Sequence, residues 1–272
     1  MSTYQGKTAV ITGASSGIGG AATELLVAAG ANVHALDVKD VGAAVTSSHH
    51  VDLRDPAQID AVAAELPDRI DVLFNCAGLP QTFGPTDVMA VNFLGLRHLT
   101  ETLVGRIPAG GAIANIASVG GLGWPDLAEP IRELLDTPDV AAGRKWIAEH
   151  PAEVDTGYRF SKACVIMYTM FRSAELIGRG VRINSISPGD TTTPMTSEFR
   201  KFYGSEFWDS RELPAGRPAT PVEQAEALLF LNSDAARYIS GINLIVDAGA
   251  TAARLMGQVA TPQGMPGTSG IR

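Results

Sequence analysis

Seven short runs rich in β-branched and apolar residues alternate with segments of helical periodicity from Lys7 to about residue 250, and no other feature limits the possible folds as tightly. A strand followed by a helix, repeated, covers both faces of a parallel sheet, so the pattern predicts a doubly wound α/β fold with a seven-stranded, mostly parallel sheet. The expected strands are Lys7–Thr12, Asn32–Asp37, Ser48–Asp52, Asp71–Asn75, Ala112–Ser118, Arg182–Ser187 and Asn243–Asp247. Gly17–Ala29, Pro56–Leu66, Asp87–Arg106, Gly157–Ile177 and Pro221–Ser233 read as the helices between them. With 272 residues, 45% of them hydrophobic and 18% charged, the chain has ample material for one large core.

The first strand runs into Gly13-Ala14-Ser15-Ser16-Gly17-Ile18-Gly19 and then into the first helix. Glycines in a strand-to-helix turn let the backbone approach a pyrophosphate, whose charge is met by the helix N-terminus. The turn therefore gives the fold a Rossmann-type dinucleotide site. Asp37 ends the second strand 18 residues after Gly19, where a carboxylate accepts hydrogen bonds from an adenosine ribose and repels a 2′-phosphate. No basic residue lies among Ala14, Ser15 and Ser16, so NAD is favoured over its phosphorylated form, with Lys39 as the contrary sign.

Tyr158 and Lys162 stand four apart on an expected helix and so share one face. A nearby ammonium favours phenolate and brings a tyrosine towards service as a proton acceptor. Ser118 falls at the carboxyl end of the fifth strand, the side on which parallel sheets hold ligands. Its hydroxyl can orient a substrate oxygen in line with Tyr158.

These motifs together resemble the short-chain dehydrogenase/reductase family in its single-domain branch, over nearly the whole chain from Lys7 to about Gly249. The resemblance implies that Asp52 and Leu53 border the adenine, and that Asn75, Ala77 and Gly78 support the sheet beside the cofactor. It also implies that Asn92 is a fourth catalytic residue organising a proton relay, and that Pro188, Gly189, Thr191 and Thr193 hold the nicotinamide end. Tyr158 and Lys162 would bind the cofactor as well as act in catalysis. The expected activity is hydride transfer between NAD(H) and a secondary alcohol or ketone, with a hydroxysteroid or another bulky apolar carbonyl compound as substrate. A regulatory protein that keeps the fold and the cofactor without catalysis is the alternative. A sugar-nucleotide epimerase or dehydratase is disfavoured by the glycine spacing.

One departure stands out: 40 positions separate Ser118 from Tyr158, where the family commonly has about a dozen. The extra length, about 123–156, reads as a helical insertion, with Leu127, Ile131, Leu134 and Leu135 at helical spacing and a second helix over Val140–Glu149. It is similar to the bacterial 3α-hydroxysteroid dehydrogenase/carbonyl reductase group, which carries extra helices there. The Trp124 region and a mobile Thr193–Trp208 segment, bearing Met195, Phe199, Phe202, Tyr203 and Phe207, are expected to wall the substrate site.

The remaining signals bound the partners. A net charge of −8 with scattered Lys and Arg argues against nucleic acid. The polar stretch Met1–Lys7 lacks the character of a secretory signal, and no apolar stretch reaches the ~18 residues of a membrane span, so a cytoplasmic protein is expected. No metal is expected, since His49 and His50 have no spaced co-ligands, and Cys76 and Cys164 read as core-filling thiols. The apolar stripe Phe160, Ala163, Cys164, Met167, Met170, Phe171, Ala174 reads as core or subunit interface, and a homodimer or homotetramer is expected. Residues 1–250 are expected to form one dinucleotide-binding and catalytic domain. The Gly-, Pro- and Thr-rich tail, 251–272, would be an arm on a neighbouring surface or a frayed end, and its composition favours fraying.

Overall fold

A computed structural model describes residues 4–259. Seven strands form one sheet, β1 (Thr8–Thr12), β2 (Asn32–Asp37), β3 (Ser47–His50), β4 (Val72–Asn75), β5 (Ala112–Ile116), β6 (Arg182–Pro188) and β7 (Asn243–Val246). Their order is β3-β2-β1-β4-β5-β6-β7 and every pairing is parallel, so "mostly parallel" becomes wholly parallel. The order reverses between β1 and β4, which opens a crevice at the carboxyl ends of those strands.

The helices are α1 (Gly17–Ala28), α2 (Pro56–Glu65), α3 (Pro85–Met89), α4 (Leu96–Leu103), α5 (Ala128–Leu135), α6 (Val140–Glu149), α7 (Pro151–Val154), α8 (Tyr158–Gly178), α9 (Pro194–Tyr203), α10 (Ser205–Asp209), α11 (Pro221–Asn232) and α12 (Ala250–Leu255). Alternation along the strands sorts the core into two layers. Ile11, Val33, Phe74 and Ile186 pack against Leu26 of α1 and Leu228 and Leu231 of α11. Val10, Leu36, Leu73, Ile113 and Ile183 turn to the other face and meet Ile59, Leu99, Cys164 and Tyr168 of α2, α4 and α8.

Three expectations are corrected. The helix expected over Asp87–Arg106 is broken: α3 and α4 flank a π-helical stretch, Ala90–Gly95, and a 3₁₀ turn closes the run at Val104–Arg106. The fifth strand stops at Ile116, so Ser118 begins a 3₁₀ turn, Val119–Gly121, and caps it by accepting the Gly120 N–H at 3.1 Å. The first part of the tail does not fray: Ala250–Leu255 is helical and Thr251 is buried. Residues 260–272 of the tail lie outside the described residues.

The insertion folds as α5, α6 and α7 on the α8 side of the sheet. Ile131, Leu134, Trp146, Ile147 and Val154 join the core that holds Phe93, Leu94 and Phe160. The Trp146 indole lies between His150 and Phe160, with ring centroids 4.0 and 5.8 Å away and planes nearly parallel. Arg97 of α4 donates to the Leu134 carbonyl at 3.1 Å, satisfying an acceptor left open at the end of α5. Of the α8 stripe, Phe160, Ala163, Cys164 and Met167 are core, whereas Phe171 is 62% exposed.

Candidate active site

A cleft of about 1010 Å³ runs along the carboxyl ends of the strands. Its nucleotide end is shaped by the glycine turn. Gly13 has φ +68°, and a Cβ there would lie 2.7 Å from the Ala77 nitrogen, so only glycine lets β1 turn beneath the loop after β4. The first turn of α1 has no side-chain cap, whereas Asp55, Asp139 and Thr220 cap α2, α6 and α11. Uncapped N–H groups behind glycines suit the phosphates of a dinucleotide, and the cleft fits one.

Gly13, Ser15, Ser16, Gly17, Ile18 and Gly19 line this end together with Asp37, Asp52 and Leu53. The Asp37 carboxylate accepts the Ser15 N–H at 2.9 Å and the Lys39 N–H at 3.0 Å, tying the turn to the end of β2. Asp52 is occupied by a forked ion pair with Arg54, which also reaches Asp87 at 2.9 Å. The Arg54 hydrogen bonds hold the Asp52 carboxyl below its usual range. Arg54 and Lys39 both line the cleft, and the sequence reading gave Arg54 no place in it.

The opposite end gathers the reactive groups. Gly157, at φ +81°, lies so close to Pro85 that a Cβ would come within 2.9 Å of its Cα, and this tight entry fixes where α8 begins. Tyr158 opens that helix and is half-buried on the cleft wall, where its ring and the Ser118 hydroxyl flank Gly120, 3.7 and 3.5 Å from where a Cβ there would stand. Burial pushes the Tyr158 phenol up to about 12, with Ser118 opposing and the nearby Tyr203 reinforcing the shift. Lys162, one turn along, is 3% exposed, and burial lowers its ammonium to about 8. Its Nζ lies 5.8 Å from the centre of the Tyr158 ring and donates to the Ile116 carbonyl at 2.8 Å. In the arrangement seen, Ser118 rather than Lys162 draws the phenol down.

Ala77, Gly78, Pro188, Gly189, Thr191 and Thr193 also line the cleft. Asn75 does not. It is buried within the sheet layer, donating to Asn115 at 2.8 Å and Thr100 at 3.0 Å, and so ties β4 to β5 and α4. Asn92 sits in the π-helical stretch, fully buried, with its amide closed on the Leu79 backbone at 2.7 and 3.0 Å and on Ser161 at 3.2 Å. A Cβ on Gly78 would stand 3.4 Å from the Asn92 Oδ1 and 3.6 Å from the Lys162 Nζ, so the two flank one backbone position.

The Thr193–Trp208 segment, expected to be mobile, is helical and roofs this end as α9 and α10. Phe199, Tyr203, Phe207, Trp208 and Met195 line the cleft, but Phe202 points away and is 48% exposed. From the insertion, Asp126, Leu127 and Glu153 reach it, and Trp124 packs on the core instead. Asp190, Arg211, Thr251 and Arg254 also line the cleft, none of them expected there from the sequence. The signal for the last two was present in the helix-forming run Ala250-Thr251-Ala252-Ala253-Arg254-Leu255. Cys76, read as core, faces the cleft too, its thiol pushed up to about 12 by burial.

Comparison with known proteins agrees with this geometry. Residues 7–128 match the short chain dehydrogenase family and 146–251 match a family described as Enoyl-(Acyl carrier protein) reductase. Coniferyl-alcohol dehydrogenase of a Pseudomonas species is 35% identical over 244 residues, 89% of this chain and 96% of that one. The chain belongs to the short-chain dehydrogenase/reductase family. The 3-alpha-hydroxysteroid dehydrogenase/carbonyl reductase of Comamonas testosteroni is 32% identical over 88% of this chain and 95% of its own. The crystal structure of the 3-alpha-hydroxysteroid dehydrogenase from Pseudomonas sp. B-0831, complexed with NADH, superposes with a TM-score of 0.78. It is 29% identical and covers 93% of this chain and 99% of that one. This short-chain dehydrogenase/reductase is an oxidoreductase of alcohols or ketones that works with a nicotinamide cofactor. Among the described residues no helix is long and apolar enough to cross a membrane.

Proposed function

We propose that the enzyme interconverts a secondary alcohol and a ketone of extended apolar body with NAD(H), binding cofactor before substrate, and that Tyr158 is its acid and base. The observation that carries this reading is the meeting of Ser118 and Tyr158 on the cleft wall, where both flank Gly120, with the Lys162 ammonium one helical turn away. A bound nicotinamide supplies the hydride acceptor or donor. Ser118 holds the substrate oxygen in line with the phenol, adding a donor as negative charge grows there. Tyr158 takes the hydroxyl proton during oxidation and returns it during reduction. Lys162 holds the ribose hydroxyls with the N–H groups not given to Ile116. Asn92 steadies the Leu79 backbone beside Lys162 and completes the relay.

In this reading Gly13, Ser15, Ser16, Gly17, Ile18 and Gly19 hold the pyrophosphate, and Asp37 takes the adenosine ribose, which favours NAD over NADP. Asp52 and Leu53 border the adenine; Ala77, Gly78, Pro188, Gly189, Thr191 and Thr193 surround the nicotinamide half; Asn75 supports them from within the sheet. Residues 1–250 act as one domain, the protein works in the cytoplasm, and its assembly is a homodimer or homotetramer.

The test is NADH absorbance with NAD⁺ and a panel of hydroxysteroids and aryl alcohols, with Tyr158→Phe alongside. Turnover should fall by roughly 10²–10⁴ in the variant. A variant that keeps near-normal turnover ends the scheme.

A further inference from the structure

Arg254 lines the cleft and takes no part in the chemistry above. Arg254 lies in α12, its Nε is buried without a hydrogen-bond partner, and its guanidinium pairs with no carboxylate among the described residues. The chain brings it there through a turn in which Ala248 holds φ +53° and Gly249 φ +82°. A left-handed alanine is disfavoured, so α12 folds back over the cleft against a local backbone preference.

Arg254 also lines a second, smaller recess of about 180 Å³. Val119, Gly189, Asp190 and Arg254 border both spaces, which makes the recess a side pocket of the cleft beside Ser118. Its three carboxylates are already engaged. Asp190 pairs with Arg211 at 2.5 Å, Glu223 pairs with Arg217 at 2.6 Å, and Asp247 accepts the Gly249 and Thr251 N–H groups at 2.9 and 2.6 Å. Gln224 lines the recess too: its side chain is fully buried, its Nε2 donates to the Val246 carbonyl at 2.9 Å, and its Oε1 has no partner. A buried guanidinium N–H left unpaired is costly unless an acceptor from a ligand completes it.

We propose that this recess receives a carboxylate of the substrate, paired with Arg254, so that the alcohol oxidised is a hydroxy acid whose apolar body lies along the aromatic wall. The proposal rests on the reading that substrate binds beside Ser118 and Tyr158. Val119 follows Ser118 directly, so a carboxylate in the recess sits a short carbon chain from the reacting centre. The volume, about 180 Å³, admits a carboxylate and a few carbons. A planar guanidinium matches a carboxylate through two parallel hydrogen bonds, and Gln224 Oε1 remains to accept a donor beside it. The other anion within the cleft would be a cofactor phosphate.

Binding of two unreactive probes, 3-phenylpropanoate and the isosteric neutral 3-phenylpropanamide, to the full chain saturated with NAD⁺ separates these cases by calorimetry. The carboxylate should bind about tenfold or more tightly than the amide, and Arg254→Gln, which keeps much of the side chain's length, should abolish that preference. NADH affinity, read by fluorescence titration, should stay the same in Arg254→Gln. Tyr158→Phe should retain the carboxylate preference, so a failure of the catalytic scheme and a failure of this proposal give different results. Equal binding of the two probes, or binding of neither, overturns it. A loss of NADH affinity in Arg254→Gln assigns the guanidinium to a cofactor phosphate and overturns it as well.

Discussion

The Phe199 ring meets the Tyr158 ring edge-on, with centroids 5.0 Å apart and planes at 74°, and Trp208 lies behind Phe199 at 6.1 Å. The roof of the substrate end therefore bears directly on the proton-transferring side chain. Arg211 fixes that roof from behind: its side chain is 4% exposed, stacked 3.4 Å from the centre of the Trp208 ring and paired with Asp190.

Phe199→Ala should therefore raise KM for a bulky aryl alcohol by about tenfold, the loss of one aromatic contact worth about 1 kcal/mol and part of its buried area. Phe202→Ala should leave KM unchanged, because that ring faces solvent. Steady-state kinetics on the pair distinguishes a built wall from general loosening of α9, since loosening would affect both variants alike.

Much of this was legible because local chemistry and tertiary position coincide. The glycine turn, Asp37 at the end of β2 and the Tyr158–Lys162 spacing are short-range patterns with one structural outcome, and the structure places all of them on one cleft. The strands were readable as apolar, β-branched runs because both faces of the sheet are covered, Val10 turning to one layer and Ile11 to the other. What escaped depends on long-range closure. Arg211 becomes part of the site only by reaching Asp190, 21 positions away, and Arg254 only because Asp247, Ala248 and Gly249 turn the chain back. The break at Ala90–Gly95 left no sign in the pattern, since Met89, Val91, Phe93 and Leu94 are apolar and buried on every side.

Cofactor choice should turn on Asp37. Lys39 lines the cleft beside it, so removing the carboxylate leaves a cation able to meet a 2′-phosphate. Asp37→Ser should raise KM for NAD⁺ by about tenfold, the worth of a charged hydrogen bond, and lower KM for NADP⁺. Initial rates with both cofactors measure this, and an unchanged preference would remove Asp37 from the ribose site.

Trp146 tests whether the insertion is part of the core. Its indole is 8% exposed, donates to Glu133 at 3.0 Å and is stacked between His150 and Phe160, the latter two residues beyond Tyr158. Trp146→Ala should cost about 3–5 kcal/mol of stability through the cavity it leaves. Denaturant unfolding reads that loss, and a small change in midpoint would mean that α6 packs loosely on α8.

Lys162 is held at a thermodynamic cost. Its ammonium is buried and titrates near 8, against the 10.5 of a free lysine. Below pH 8 the folded protein carries that charge in an unfavourable place; between 8 and 10.5 the native state releases its proton before the unfolded chain does, and stability contributed by this group rises with pH. Lys162→Met removes the cost, which is on the order of 3 kcal/mol at neutral pH. The variant should therefore lose turnover yet melt at a higher temperature at pH 7. Its advantage should shrink as pH climbs from 8 towards 10.5. Melting curves across that range decide the matter: a variant less stable than the parent at pH 7 would show that the hydrogen bond to Ile116 outweighs the burial of the charge.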